Sequence, residues 1–162
     1  MNDPVALTPQ QREELCRVAL EWVLKYFDEQ SRLPIYPTIS PQELTSRLAA
    51  VLPVDPEDAR TVMADFEQVV ANGRHNGHPR MFGYVQSAGS FAGVIGDLLA
   101  SALNQNVTSW RSAPSATTIE HQVIDWLKTM VGFDPAGTGV LLSGGSFANF
   151  AALAAALRAS TR

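Results

Sequence analysis

The chain has 162 residues, 12 Lys and Arg against 16 Asp and Glu, and a formal net charge of −4. Its basic residues are scattered singly, a poor match for nucleic acid, where Lys and Arg must neutralise phosphates. No apolar run reaches the roughly 20 residues needed to cross a bilayer. Only 17% of residues are charged, against about 25% in an ordinary globular domain. The shortage lies in one half: residues 1–82 hold eight basic and twelve acidic side chains, residues 83–162 four of each. So neutral a half cannot bury all it owns, because small domains keep much of their surface exposed. Further protein is expected to pack on it. Met1-Asn2-Asp3-Pro4 shows no basic region ahead of an apolar core. A single cysteine, Cys16, cannot form an internal disulfide. Both point to a reducing, cytoplasmic compartment. Beside Leu15, Val18 and Ala19, Cys16 is expected to be a small core residue.

Thr8-Pro9-Gln10-Gln11 carries an N-cap, a proline at the first helical position and a capping-box partner. Apolar residues from Leu15 to Tyr26 then recur at helical spacing, predicting a helix to about Asp28. Leu33-Pro34-Ile35-Tyr36-Pro37 reads as an extended linker. Ser40-Pro41-Gln42-Glu43 starts a second helix, to about Ala50. Asp55-Pro56-Glu57-Asp58 opens a third, with Val62, Met63, Phe66, Val69 and Val70 as its stripe, ended by Asn72-Gly73. Helices joined by such a linker are expected to pack poorly on themselves and to clasp a second subunit. His75 and His78 lie in a loop, and the remaining histidine, His121, on a later helix without acidic or Cys neighbours. That pattern gives no metal site. Met81 to Val85 is short and β-prone. Phe91 to Leu103 is expected to be a buried helix, apolar on most faces and ended by Asn104-Gln105-Asn106. Pro114 starts another, with Ile119, Val123, Trp126, Leu127 and Met130 on one face, stopping at Gly132. Val140-Leu141-Leu142 is expected to be a short buried strand. Lys25 and Lys128 sit on amphipathic helices as solvated charges.

Ser143-Gly144-Gly145-Ser146 then runs into an Ala/Leu helix. Strand, glycine loop and helix together can hold an anion. Glycines let the backbone approach closely, and the first helical N–H groups are unpaired at the positive end of the helix dipole. Ser146 adds a hydroxyl donor, and Asn149 lies one turn on. No Lys follows the glycines, so this is no P-loop, and the spacing fits neither a dinucleotide fingerprint nor a nucleophile elbow. A serine nucleophile would need a histidine base, and all three histidines lie upstream without a matching Asp.

Three segments occur in order: His78-Pro79-Arg80-Met81-Phe82-Gly83-Tyr84, Trp110 to Glu120 (WRSAPSATTIE), and Leu142 to Phe150 (LSGGSFANF). Together they resemble the pyridoxal-phosphate-dependent group II amino-acid decarboxylases, which include the aromatic-L-amino-acid, histidine and glutamate decarboxylases. The resemblance covers nearly the whole chain and about the first third of a family member. It implies an α/β fold-type I large domain, incomplete here, beginning at residue 83. An α-helical dimerisation segment, residues 1–82, precedes it. The implied cofactor is pyridoxal 5'-phosphate. Gly145 and Ser146 match the positions that hold its phosphate, Gly144 shapes that loop, and Asn149 lies on the same helix start. Tyr84, Val85 and Ser87 match the segment lining the substrate pocket. Asn106 and Thr108 match a loop that reaches the active site across a homodimer. Pro114 and Glu120 match structural positions, and Phe147 stands where some relatives have Glu or Thr, a change expected to touch packing alone.

The family's covalent-anchor lysine, its Asp at the pyridine nitrogen and its ring-stacking His belong to segments beyond Arg162. Neither Lys25 nor Lys128 has the family's His-Lys context. The resemblance therefore implies the N-terminal part of an amino-acid decarboxylase, inactive alone, with aromatic L-amino acids as the leading substrates. Diaminobutyrate, glutamate or another polar amino acid stand behind them. The competing reading is a non-catalytic truncated product or a helical dimerisation module. Neither reading involves nucleic acid or a membrane.

Overall fold

A computed structural model describes residues 7–49, 52, 54–85 and 87–161. Local signals set the helix starts. Thr8 caps α1 (Pro9–Glu29): its Oγ1 accepts the Gln11 N–H at 3.2 Å, and Gln11 Oε1 accepts the Thr8 N–H at 2.8 Å. The reciprocal pair satisfies N–H groups that the helix cannot. Ser40 caps α2 (Pro41–Leu48) through the Glu43 N–H at 3.2 Å. This helix stops two residues short of Ala50, which lies outside the described residues. Asp58 caps α3 (Ala59–Ala71) by accepting from the Arg60 and Thr61 N–H groups at 2.9 and 3.1 Å.

α4 (Phe91–Leu103) ends at Asn104, whose φ of 44° is a left-handed value that asparagine tolerates. α5 (Pro114–Met130) ends ahead of Gly132 at φ 67°. α6 (Gly145–Ser160) follows the glycine loop. Two compact units result, Met1–Gly96 and Asp97–Arg162. The charge step at residue 82 falls inside the first.

In the first unit, α1 and α3 pack on each other, contrary to the expectation that these helices would not. They run in the same direction: Glu14 Oε1 meets Arg60 Nη2 at 2.9 Å, and the Trp22 ring meets Phe66 edge-on at 4.8 Å. Trp22 also stacks on Tyr26 at 5.2 Å. Val18 is buried on this face. Cys16, expected in the core, is exposed instead. Two residues turn a helix through roughly 200°, so Cys16 and Val18 cannot share a face.

The loop after α3 closes back on α1. His75 is 1% exposed; its N–H donates to the Ile35 carbonyl at 3.2 Å, and its Nδ1 lies 3.3 Å from the Tyr26 hydroxyl. Its Nε2 is buried without a hydrogen-bond partner. Burial holds the His75 pKa below the usual histidine value, and neighbouring His78 adds to the effect. The fold therefore favours neutral imidazole, and the unfolded chain binds the proton more readily. Stability is intact above the ordinary value of 6.5 and falls as the pH drops through it towards the lowered folded value. The urea midpoint of dilute protein should therefore fall between about pH 7.5 and 5.8, spanning the ordinary histidine range. His75→Asn should flatten that slope; an unchanged slope would exclude His75 as its source.

In the second unit, α5 buries Thr117 and Ile124. The face expected to be covered is open: Ile119 is 59%, Trp126 54% and Met130 77% exposed. Lys128 is a correction as well. Its side chain is 14% exposed, and its ammonium meets Asp125 Oδ1 at 2.7 Å and donates to the Pro135 and Gly137 carbonyls at 3.1 and 2.7 Å. It clamps the turn after α5 and is no solvated charge. Val140–Leu142 and Met81–Val85 are not strands, and no strand occurs among the described residues. A strand is a hydrogen-bonded partnership, and neither short run finds a ladder partner. The helices are observed; the α/β sheet is not.

The chain exposes 13606 Å². Two compact units of this combined mass would expose roughly 9,500 Å² between them. Much of the difference is apolar. α4 is open and not buried as expected, with Leu98 62% and Leu103 70% exposed; on α6, Phe150 is 66%, Leu153 72% and Leu157 67% exposed.

Candidate phosphate cradle and pocket segments

The start of α6 leaves backbone donors uncapped beside open space. Gly144 takes φ 82° and ψ 154°, a conformation essentially reserved for glycine. That turn aims the chain directly into the helix. No side chain caps α6, and its first intrahelical bond is from the Ala148 N–H to the Gly144 carbonyl at 3.1 Å. The N–H groups of Gly145, Ser146 and Phe147 thus precede the helical ladder. A Cβ built on Gly144 or Gly145 would meet nothing within 4 Å. The space over the helix start is open, the backbone donors and the positive end of the helix dipole lie at it, and the second helical residue, Ser146, carries a hydroxyl. These residues fit a phosphate. Asn149 is exposed on the following turn. Phe147 stacks on Phe150, with ring centroids 6.3 Å apart.

Asn106 and Thr108 belong to the same unit, in the turn between α4 and α5. Asn106 Oδ1 accepts the Thr108 N–H at 3.0 Å, and the Ser112 hydroxyl donates to the Asn106 carbonyl at 3.1 Å. The Asn106 side chain therefore shapes the turn. A cleft of about 500 Å³ brings Thr108 beside Trp110, His121, Ile124 and Leu141. Leu141 leads into the glycine loop, so one cleft joins the 106–108 turn to the run ahead of the cradle.

Tyr84, Val85 and Ser87 belong to the first unit. All three are exposed, and Val85 is fully so at 104%. Tyr84 adopts φ 65°, left-handed for a bulky residue. The Arg74 guanidinium lies over its ring, 4.3 Å from the centroid. Arg74 Nε also donates to Asn76 Oδ1 at 2.9 Å. Sequence reading missed Arg74, because a lone basic residue ten positions before an aromatic carries no periodic signal. Among the described residues no group of three or more His, Cys, Asp or Glu could hold a metal ion. Among them, too, no helix is long and apolar enough to cross a membrane.

Comparison with known proteins gives the family. The family described as the pyridoxal-dependent decarboxylase conserved domain matches residues 41–162. An aromatic-L-amino-acid decarboxylase of Bacillus atrophaeus is 29% identical over 160 residues, covering 98% of this chain and 33% of that protein. A 4-hydroxyphenylacetaldehyde synthase of Rhodiola rosea is 29% identical over 161 residues, covering 95% of this chain and 32% of that protein. The crystal structure of Oryza sativa TDC with PLP and tryptamine superposes with a TM-score of 0.83 at 26% identity, over 99% of this chain and 37% of that one. The chain spans about a third of the length of these relatives. The chain thus resembles pyridoxal-dependent decarboxylases, which are carboxy-lyases with pyridoxal phosphate as cofactor. With three quarters of its length matched, the chain belongs to the pyridoxal-dependent decarboxylase family.

Proposed function

We propose that this chain supplies the phosphate cradle and part of the substrate pocket of an enzyme that converts an amino acid to its amine and carbon dioxide. Aromatic L-amino acids are the first substrate class; diaminobutyrate, glutamate or another polar amino acid come behind. The start of α6 carries the reading: a glycine-only turn, open space and three N–H groups ahead of the helical ladder. Gly145 and Ser146 hold the cofactor phosphate by N–H and hydroxyl, Gly144 sets the turn, and Asn149 borders it. Tyr84, Val85 and Ser87 orient the substrate and exclude water, and Asn106 and Thr108 complete the pocket from a second copy. When bound, pyridoxal phosphate supplies the electron sink for the bond to the departing carboxylate.

The assembly belongs to the same proposal. Residues 1–82 form a helical clasp in a homodimer, and the large α/β domain starts at 83. There Val140–Leu142 pairs with strands from sequence beyond this third. The open faces of α4, α5 and α6 support this, since each is apolar and uncovered. A reducing, cytoplasmic setting rests on the lone Cys16.

Product analysis tests the reading. The complete enzyme with pyridoxal phosphate should release carbon dioxide and the amine from an aromatic amino acid. The 162-residue chain with added cofactor should release none. Because the aldehyde synthase matches at the same identity as the decarboxylase, aldehyde must be measured too. Aldehyde in place of amine, or amine from the 162-residue chain alone, would overturn the proposal.

A further inference from the structure

Tyr84 poses a physical problem. Its left-handed backbone, φ 65°, is disfavoured roughly tenfold or more for a residue with a Cβ. Such a conformation persists only where its surroundings impose it. Yet Tyr84 is 69% exposed, so packing imposes little. The contact found on its ring is the Arg74 guanidinium, 4.3 Å from the centroid. Arg74 is itself oriented, since its Nε donates to Asn76 Oδ1 at 2.9 Å. Asn76 thus helps to hold Arg74, whose guanidinium carbon lies over the Tyr84 ring.

We infer that Arg74 is a positioning residue for the substrate pocket: its guanidinium fixes the Tyr84 ring and, through it, the left-handed turn that presents Tyr84 and Val85 to the substrate. This rests on the proposal that Tyr84 and Val85 line that pocket. A planar guanidinium stacks on an aromatic face as an ammonium does not. Lysine at this position should therefore recover only part of the function.

A double-mutant cycle in the complete, cofactor-loaded enzyme tests it, with Arg74→Gln, Tyr84→Leu and both together. Arg74→Gln should raise KM for the amino acid about tenfold and change kcat less than about threefold, the scale of a partly desolvated cation–π contact. Arg74→Lys should fall between Arg74→Gln and the parent. Tyr84→Leu should raise KM at least as far, and the double variant no further, because Arg74 acts through Tyr84. A second readout uses the cofactor-free protein. Trypsin cleavage after the exposed Arg80, followed by mass spectrometry, should quicken about tenfold in either single variant and no more in the double. Additive effects on KM, or unchanged cleavage in Arg74→Gln, would overturn the inference. An unchanged KM in Tyr84→Leu, with faster cleavage, would overturn the pocket reading and the positioning role with it. An unchanged KM in Arg74→Gln, with a raised KM in Tyr84→Leu, would overturn the inference alone.

Discussion

Gly144→Ala should weaken pyridoxal-phosphate binding by the complete enzyme about tenfold or more, whereas Gly145→Ala should change it less than about threefold. The two glycines are adjacent, and a Cβ on either meets open space, so crowding by the protein separates nothing. Backbone conformation does. Gly144 sits at φ 82° and ψ 154°, and Gly145 is the first residue of α6. Alanine at 144 must leave that region, at a cost of about 1–3 kcal/mol, or rotate the loop and turn the N–H groups away. Alanine at 145 enters a helix it favours. Titrating the cofactor-free protein with pyridoxal phosphate by absorbance gives both constants. Equal effects at the two positions would mean that the turn does not set the cradle.

The second large effect concerns the chain alone. At micromolar concentration the 162-residue chain should associate or precipitate and bind a hydrophobic dye strongly. It exposes 13606 Å², roughly 4,000 Å² more than two compact units of its mass would. Apolar patches on soluble monomers rarely exceed a few hundred Å². On α6, Phe147, Phe150, Leu153 and Leu157 fall on one stripe, and all are half exposed or more. Light scattering and sedimentation measure this directly. A monomer with one cooperative unfolding transition would show that these faces need no cover.

Helix starts were legible because their causes are local. Thr8 with Gln11, Ser40 with Glu43, and Asp58 with Thr61 each close within one turn. The bounds of α4 followed likewise from an apolar run and Asn104. Choosing the buried face was not local. Val18 and Cys16 look alike by composition, and only the approach of α3 distinguishes them. Val140–Leu142 failed as a strand for a related reason: strand-prone residues need a neighbour's backbone, which neither short run finds. The glycine loop was recognisable as an anion holder. The conformation that divides its labour between Gly144 and Gly145 was not. Arg74 escaped notice because its partner, Tyr84, is brought to it by a loop with no repeat.

The Lys128 clamp also has a consequence for chemical modification. The Lys128 side chain is only 14% exposed and its ammonium is enclosed by three acceptors, so a reagent reaches it poorly. Lys25, on the exposed side of α1, meets no such restraint. Of the two lysines in the chain, amine-directed reagents therefore have one free target. A probe attached there reports from the helical segment and leaves the turn that leads towards the glycine loop untouched.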